Sequence, residues 1–392
     1  MELLTNPIRT YAWGSRSAIA GVQGRPVPSA EPEAELWMGG HPSAPSRLTR
    51  DGVERGLDAL VAADPQRELG PAAQGARVPF LLKLLAAETP LSLQAHPSES
   101  QARAGFAAEQ AAGPPIGDPR RNYVDPHHKP ELICAVGEFS ALCGFRSPSR
   151  SVEVLAPVVA EIPALRALVD ALRASPDGSG LRAFVAGLFG LPDAGQVADS
   201  FADACRKART SAEYELAVSL ADQYPGDVGI VLALLLNRLE LAPGEAIFLP
   251  AGVLHAYLHG LGVEVMAASD NVLRGGLTPK HVDVQELLRV VRFEEMPAAP
   301  FPAAEPGPGV RVWAPPVPEF ALTRVVLDEA GGAASLGSEG PRILFCLDGT
   351  VTVDDGTEPV ELRGGEAGYV PAGRRSVTVT GSGTVFQATT GA

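Results

Sequence analysis

One stretch of this sequence occurs twice, and it constrains the fold more than any other feature. The first copy reads LELAPGEAIFLPAGVLHAY, with Gly244, Pro250, Gly252 and His255; the second reads VELRGGEAGYVPAGRRSVTV, with Gly365, Pro371, Gly373 and Ser376. In each, an apolar strand runs into a Pro-x-Gly turn and a second strand begins, the hairpin signature of a small antiparallel barrel. The turn fixes which way the residue three beyond its glycine points. A histidine held there is a preorganised ligand, and only the first copy has one; the serine copy is scaffold. Chemistry is therefore expected in the first barrel.

Between and before the copies the hydrophobic period changes. Residues 1–146 alternate turn signals with short apolar runs, such as VPFLLKLLAAETPLSLQAH and PELICAVGEFSALCGF, and read as β-rich. Over 147–238 the spacing is helical: Val152, Val154, Leu155, Val158 and Val159, then Leu165, Leu168 and Leu172, then Leu216, Ala217, Leu220 and Ala221. The β pattern resumes at Leu239, and MPAAPFPAAEPGPGV at 296–310 reads as a linker. Strands on both sides of the helices predict a mainly β chain with a helical insertion. The first barrel is expected over 1–146 and 239–295, the helical domain over 147–238, and a second barrel without metal ligands over 296–392.

Three patches carry metal-ligand chemistry. In LSLQAHP the strand period of two puts Ser92, Gln94 and His96 on one face, so Gln94 and His96 reach the same point. Glu131 follows Pro130 directly, at a strand entry where the chain is extended. His255 completes an N2O2 set that suits zinc best, while manganese, cobalt or iron(II) also accept such donors. The four cysteines, Cys134, Cys143, Cys205 and Cys346, show no CxxC spacing and read as buried free thiols.

Charge narrows the ligand. With 392 residues, 45% hydrophobic content and a net charge of −14, the chain has the make-up of a globular protein of two or three domains and not of a nucleic-acid binder, which needs a basic face. There is no membrane-length apolar run, and the N-terminal MELLTNPIRTYAWGS lacks a basic region before an apolar stretch, so a cytoplasmic location is expected. Against this acidic background Lys83, Lys129, Arg274 and Lys280 lie close in sequence to the four ligand positions, and Gly275 and Gly276 would let backbone approach a ligand. A local cation cluster of this kind is what a phosphate requires. His41, His127, His259 and His281 read as structural or exposed; His128 shares its short segment with Glu131.

The motifs YAWGS, ELWMGGHPSAPS, PFLLKLLAAETPLSLQAHPS, NYVDPHHKPELICAV and LPAGVLHAYLHGLGVEVMAASDNVLRGGLTPKHVD occur in that order over residues 11–283. Together they resemble the type I phosphomannose isomerases of the cupin superfamily. The resemblance implies a bicupin, that is, two jelly-roll-like β-barrels plus an α-helical domain. It implies an aldose–ketose isomerase that interconverts mannose 6-phosphate and fructose 6-phosphate through a cis-enediol, with one Zn2+ per chain held by Gln94, His96, Glu131 and His255. Arg274 would be the catalytic arginine, and a residue that is never deprotonated at working pH suits charge stabilisation better than proton abstraction. Glu264, His128 and Lys129 remain open as the proton-transfer base. Ser92, Lys83, Lys280, Tyr257 and Asp270 match positions around substrate. The partner implied is a small sugar phosphate, with no nucleic acid and no membrane, and a monomer is the default assembly. Two other readings stay open: a silent sugar- or metal-binding bicupin, which has no use for Arg274, Lys280 and Lys129 together, and an iron(II) oxygenase, which a glutamine ligand and phosphate-type cations disfavour.

Overall fold

The strand Phe80–Ala87 organises the molecule. The computed structural model describes residues 1–71, 75–208, 211–374 and 376–391. Within FLLKLLAA every residue is buried, the pattern of a strand covered on both faces. Leu82, Leu84 and Ala86 enter one apolar cluster, while Leu85 and Ala87 enter another. The strand pairs antiparallel with Glu35–Met38 on one side and with His255–Ala267 on the other. Beyond His255–Ala267 come Glu131–Phe145 and then Ala246–Leu249, within a nine-stranded sheet. Its inner face holds Leu85, Ile133, Ala135, Phe139, Ile247, Leu249 and Tyr257.

A second, eight-stranded antiparallel sheet is built mainly from the C-terminal third. Leu82, Leu84, Leu132, Val263 and Val265 of the first sheet pack against Ile343, Phe345, Tyr369 and Phe386 of the second in one core. Fully burying each such side chain is worth roughly 1.5–3 kcal/mol. Two details depart from the sequence reading. The N-terminal strand Glu2–Leu4 pairs with Ala367–Val370 and so joins the second sheet. The stretch 296–310 is not only a connection, because Ala304–Gly307 pairs with Val310–Trp313 at that sheet's edge, where proline is tolerated.

Between Glu131–Phe145 and Leu236–Leu241 the chain forms the helices Pro148–Val159, Pro163–Ala174, Gly178–Phe189, Ala194–Ala208 and Ala212–Gln223, then the short Gly229–Ala233. Ser147, Asp177 and Ser211 cap three of them through their side-chain oxygens, each satisfying N–H groups that have no partner inside the helix. Val154, Leu155, Leu165, Val169, Phe184 and Phe201 then bury in one cluster with Leu142, Ala256, Leu258 and Leu273 of the first sheet. The sheet resumes at Leu236, ahead of the expected Leu239. The preceding run of leucines suits helix and strand equally, and the pairing of Leu236 with Phe145 decides it. No described helix is long and apolar enough to cross a membrane.

Candidate metal centre and active site

Backbone geometry at the first Pro-x-Gly turn brings the ligand-bearing segments together. Gly252 adopts a left-handed φ of 81°, which glycine reaches without a Cβ clash, and its N–H donates to the carbonyl of His96 at 2.8 Å. His255 then opens its strand directly opposite Gln94, and Gln94 is in turn opposite Arg274. Glu131 opens the strand on the far side of His255–Ala267, facing Met266.

His96, Glu131 and His255 are 2%, 3% and 4% exposed, so they meet in a nearly dry pocket. One ligand atom from each lies within 4.8 Å of the others. His96 Nε2 is 3.3 Å from Glu131 Oε1, and His255 Nε2 is 3.2 Å from Glu131 Oε2. Both rings are oriented by backbone carbonyls: His96 Nδ1 lies 2.7 Å from the Asn271 oxygen, and His255 Nδ1 lies 3.0 Å from the Val253 oxygen. With Nδ1 carrying the proton in each ring, both Nε2 lone pairs face a carboxylate, and His96 Nε2 is buried without a hydrogen-bond partner among the described residues. Two lone pairs aimed at an anion repel unless a cation sits among them. Burial first, and then the Lys129 charge, push the His96 imidazole down to about 4, so it stays the neutral ligand form. Burial works against the Glu131 anion, but Lys129 and the two imidazoles outweigh it and hold Glu131 well below the ordinary carboxylate range. Ligand atoms about 2.0–2.1 Å from a tetrahedral zinc stand about 3.3 Å apart, which these donor spacings fit.

The other singled-out residues surround this centre in separate groups. Lys129 Nζ is 2.8 Å from Glu131 Oε1. Lys83 lies opposite Glu264 on one neighbouring strand and opposite Trp37 on the other. Its Nζ is 3.0 Å from Glu264 Oε2 and 3.3 Å from Glu35 Oε1. The Glu264 contact has ion-pair distance without hydrogen-bond geometry, since Oε2 has no hydrogen-bond partner among the described residues. Tyr257 donates its hydroxyl to Glu264 Oε1 at 2.9 Å. Burial would lower the Lys83 ammonium, yet Glu264, Glu35 and Glu131 together raise it. Burial raises Glu264, reinforced by Glu131 and Glu35 over the opposing pull of Lys83. One cation thus serves several carboxylates, and Glu264 is the one with enhanced proton affinity.

On the other side, Gln94 donates its amide to Ser92 Oγ at 3.2 Å, leaving its carbonyl oxygen available. Burial lowers the Arg274 guanidinium, and burial and then Arg274 lower Lys280. Neither makes an ion pair with a carboxylate among the described residues. His128 and Asp270 engage other partners: His128 Nε2 is 2.7 Å from Glu319 Oε1, and Asp270 Oδ2 is 3.4 Å from His41 Nε2.

Four residues of this site escaped sequence reasoning. Asn271 is fully buried; besides the carbonyl that orients His96, its side chain bonds the backbone of Val124, Asp125 and His127, tying the ligand loop to the centre. Glu35 accepts from Trp37 Nε1 at 2.8 Å and from Lys83. Trp37 stands with its ring centroid 5.0 Å from that of His41, which is buried beside it. Alternation along ELWM carried a signal for Glu35 and Trp37, but an isolated buried acid is visible only when its cation is placed opposite.

Residues 1–148 match the sequence profile of "Phosphomannose isomerase type I, catalytic domain". The chain is 37% identical to the mannose-6-phosphate isomerase of Escherichia coli (strain K12) over 388 residues, 98% of each chain. It is 31% identical to the Bos taurus mannose-6-phosphate isomerase, over 91% of this chain and 90% of that one. A zinc-bound crystal structure of mannose 6-phosphate isomerase superposes with a TM-score of 0.92 at 34% identity, covering 100% of this chain and 99% of that one. A mutant of phosphomannose isomerase from Salmonella typhimurium gives 0.93 at 34% identity over the whole of both chains.

Proposed function

The chain belongs to the type I phosphomannose isomerase family, and from that membership we infer how its site works as a zinc-dependent isomerase of mannose 6-phosphate and fructose 6-phosphate. The cupin fold supplies the pocket. The reading of the centre rests on one observation: two imidazole Nε2 atoms and one carboxylate converge at 3.2–3.3 Å in a dry pocket, an arrangement that repels itself without a cation. His96, Glu131 and His255 would hold zinc, with the Gln94 carbonyl oxygen as the fourth donor. Zinc bound there supplies a Lewis acid that stabilises negative charge at the O1 and O2 edge of the sugar.

The chain's own residues do the remainder. Glu264, whose proton affinity is raised by burial, takes the C2 proton on a carboxylate oxygen and returns it at C1, the O2 hydroxyl proton passing to O1, while Tyr257 and Lys83 fix the orientation of Glu264. This choice over His128 and Lys129 rests on the raised proton affinity of the buried Glu264 carboxyl, whereas His128 pairs with Glu319 and Lys129 pairs as a cation with Glu131. Arg274, cationic and unpaired among the described residues, stabilises the enediolate. Lys280 with Ser92 takes the 6-phosphate; Lys83 and Lys129 are already committed to carboxylates, which removes them from that role. Asp270, exposed and paired with His41, would contact sugar hydroxyls. A monomer is the assembly expected for the chain, and four unpaired buried cysteines fit the cytoplasm.

The distinguishing experiment compares substrates. Remote phosphate binding contributes to positioning at C1 and C2, so free mannose should show a kcat/KM lower by at least about a hundredfold, and inorganic phosphate should compete with mannose 6-phosphate. Equal kcat/KM for mannose and mannose 6-phosphate would contradict the phosphate assignment.

A further inference from the structure

The second Pro-x-Gly hairpin reproduces the first position by position, which identifies the residues that stand at the positions equivalent to the metal ligands. Gly373 has a φ of 85° and its N–H donates to the carbonyl of Glu339 at 3.2 Å, as Gly252 does to His96. Ser376 lies opposite Gly337, as His255 lies opposite Gln94. Arg342 opens its strand opposite Val370, the residue before Pro371, as Glu131 opens its strand opposite Leu249, the residue before Pro250. The set Gln94, His96, Glu131 and His255 therefore corresponds to Gly337, Glu339, Arg342 and Ser376. A guanidinium stands where the first sheet carries its central carboxylate.

Arg342 is fully buried and alternates with Leu344 and Cys346, which lie in the inner apolar cluster of the second sheet. Its Nη2 donates to the backbone oxygens of Ser338 and Arg374. Its Nε and Nη1 are buried and have no hydrogen-bond partner, and it makes no ion pair with a carboxylate among the described residues. Asp355 attracts it from a distance but is itself in contact with other cations. A buried positive charge with two idle N–H donors is costly, and it is relieved by a counter-ion.

We propose that Arg342 makes the metal-free half of this molecule a buried site for one small inorganic anion of halide size, held by its Nε and Nη1. The charge logic of the first half is inverted: there an anionic donor set takes a cation, and here a cationic side chain takes an anion. With the Arg342 side chain fully buried, the proposed ligand is a monatomic ion and not a sugar phosphate.

Bromide is the probe. Wild-type crystals soaked in bromide and measured at the bromine edge should show an anomalous peak within hydrogen-bond distance of Arg342 Nε and Nη1, absent in Arg342→Met. In solution, replacing acetate with bromide at equal ionic strength should raise the wild-type Tm, and the rise should be lost in Arg342→Met and in the milder Arg342→Lys. A water or nothing at that position in the wild-type bromide crystal would overturn the proposal, whether or not either variant folds. An equal bromide response in wild type and variants would overturn it too. Isomerase activity is not the readout, so the outcome is independent of the catalytic assignment.

Discussion

At the scale of single residues, Arg274 is the sharpest case, because two roles remain chemically open to an unpaired cation beside Gln94. If it meets charge only as the enediolate forms, Arg274→Ala should lower kcat by about a hundredfold or more with little change in KM. A strong rise in KM at near-normal kcat would make it a phosphate clamp. Period-two spacing singled out Gln94 and His96 and the Pro-x-Gly turn singled out His255, since strand geometry fixes side-chain direction, whereas Glu131 was read only from its place after Pro130 at a strand entry. Asn271 was not legible as a site residue, because its role rests on backbone groups of Val124, Asp125 and His127 that only the folded loop brings to it. His41 read as structural or exposed. Its contacts with Trp37 and Asp270 depend on a loop whose path no local pattern specifies.

At the scale of elements, the ladder Trp37, Lys83, Glu264 across three adjacent strands explains a lysine in an apolar run. Lys83→Met should leave Glu264 and Glu35 buried without their cation and cost about 3–5 kcal/mol in denaturant unfolding. Adding Glu264→Gln to that variant should recover part of the loss, because the two sites are coupled. A single-variant cost under about 1 kcal/mol would mean that the row is well solvated. The loop at His128 makes a different pair. Burial lowers its imidazole, but Glu319 outweighs burial and raises it above the ordinary 6.5. A raised histidine contributes its full stabilisation below 6.5 and loses it as pH rises through the raised value, provided that Glu319 stays ionised. Both partners are partly exposed, so the stability difference between wild type and Glu319→Gln should be about 1 kcal/mol or less just below 6.5, and should vanish at alkaline pH. A difference that grows with pH would contradict the pairing. Strand content and the helical insertion were legible from period alone, whereas the return at Leu236 was not, because a run of leucines carries no period.

At the scale of the whole molecule, the two halves share a hairpin and differ in charge at its core position, Glu131 in one and Arg342 in the other. That difference was half visible in sequence, where Ser376 stands at the position of His255 when the two copies are aligned. The Glu131 to Arg342 correspondence needed the sheet register, because the helices interrupt the first copy and not the second. The N-terminal strand was misplaced for a related reason: pairing between the two ends of a chain leaves no local signal. The net charge of −14 acts only weakly on an incoming phosphate, since at physiological salt fields decay over about 8 Å and the nearby cations dominate. In the mechanism proposed above, isomerisation depends on one zinc held at the His96–Glu131–His255 convergence. The most direct test of that dependence is a titration of zinc into chelator-stripped protein, with bound metal and the conversion of mannose 6-phosphate to fructose 6-phosphate followed together, in wild type and in His255→Ala. Activity in the wild type should rise in proportion to bound zinc and saturate at one ion per chain, while His255→Ala gains neither. Full activity in the metal-free wild type, or full zinc occupancy in His255→Ala, would contradict the account.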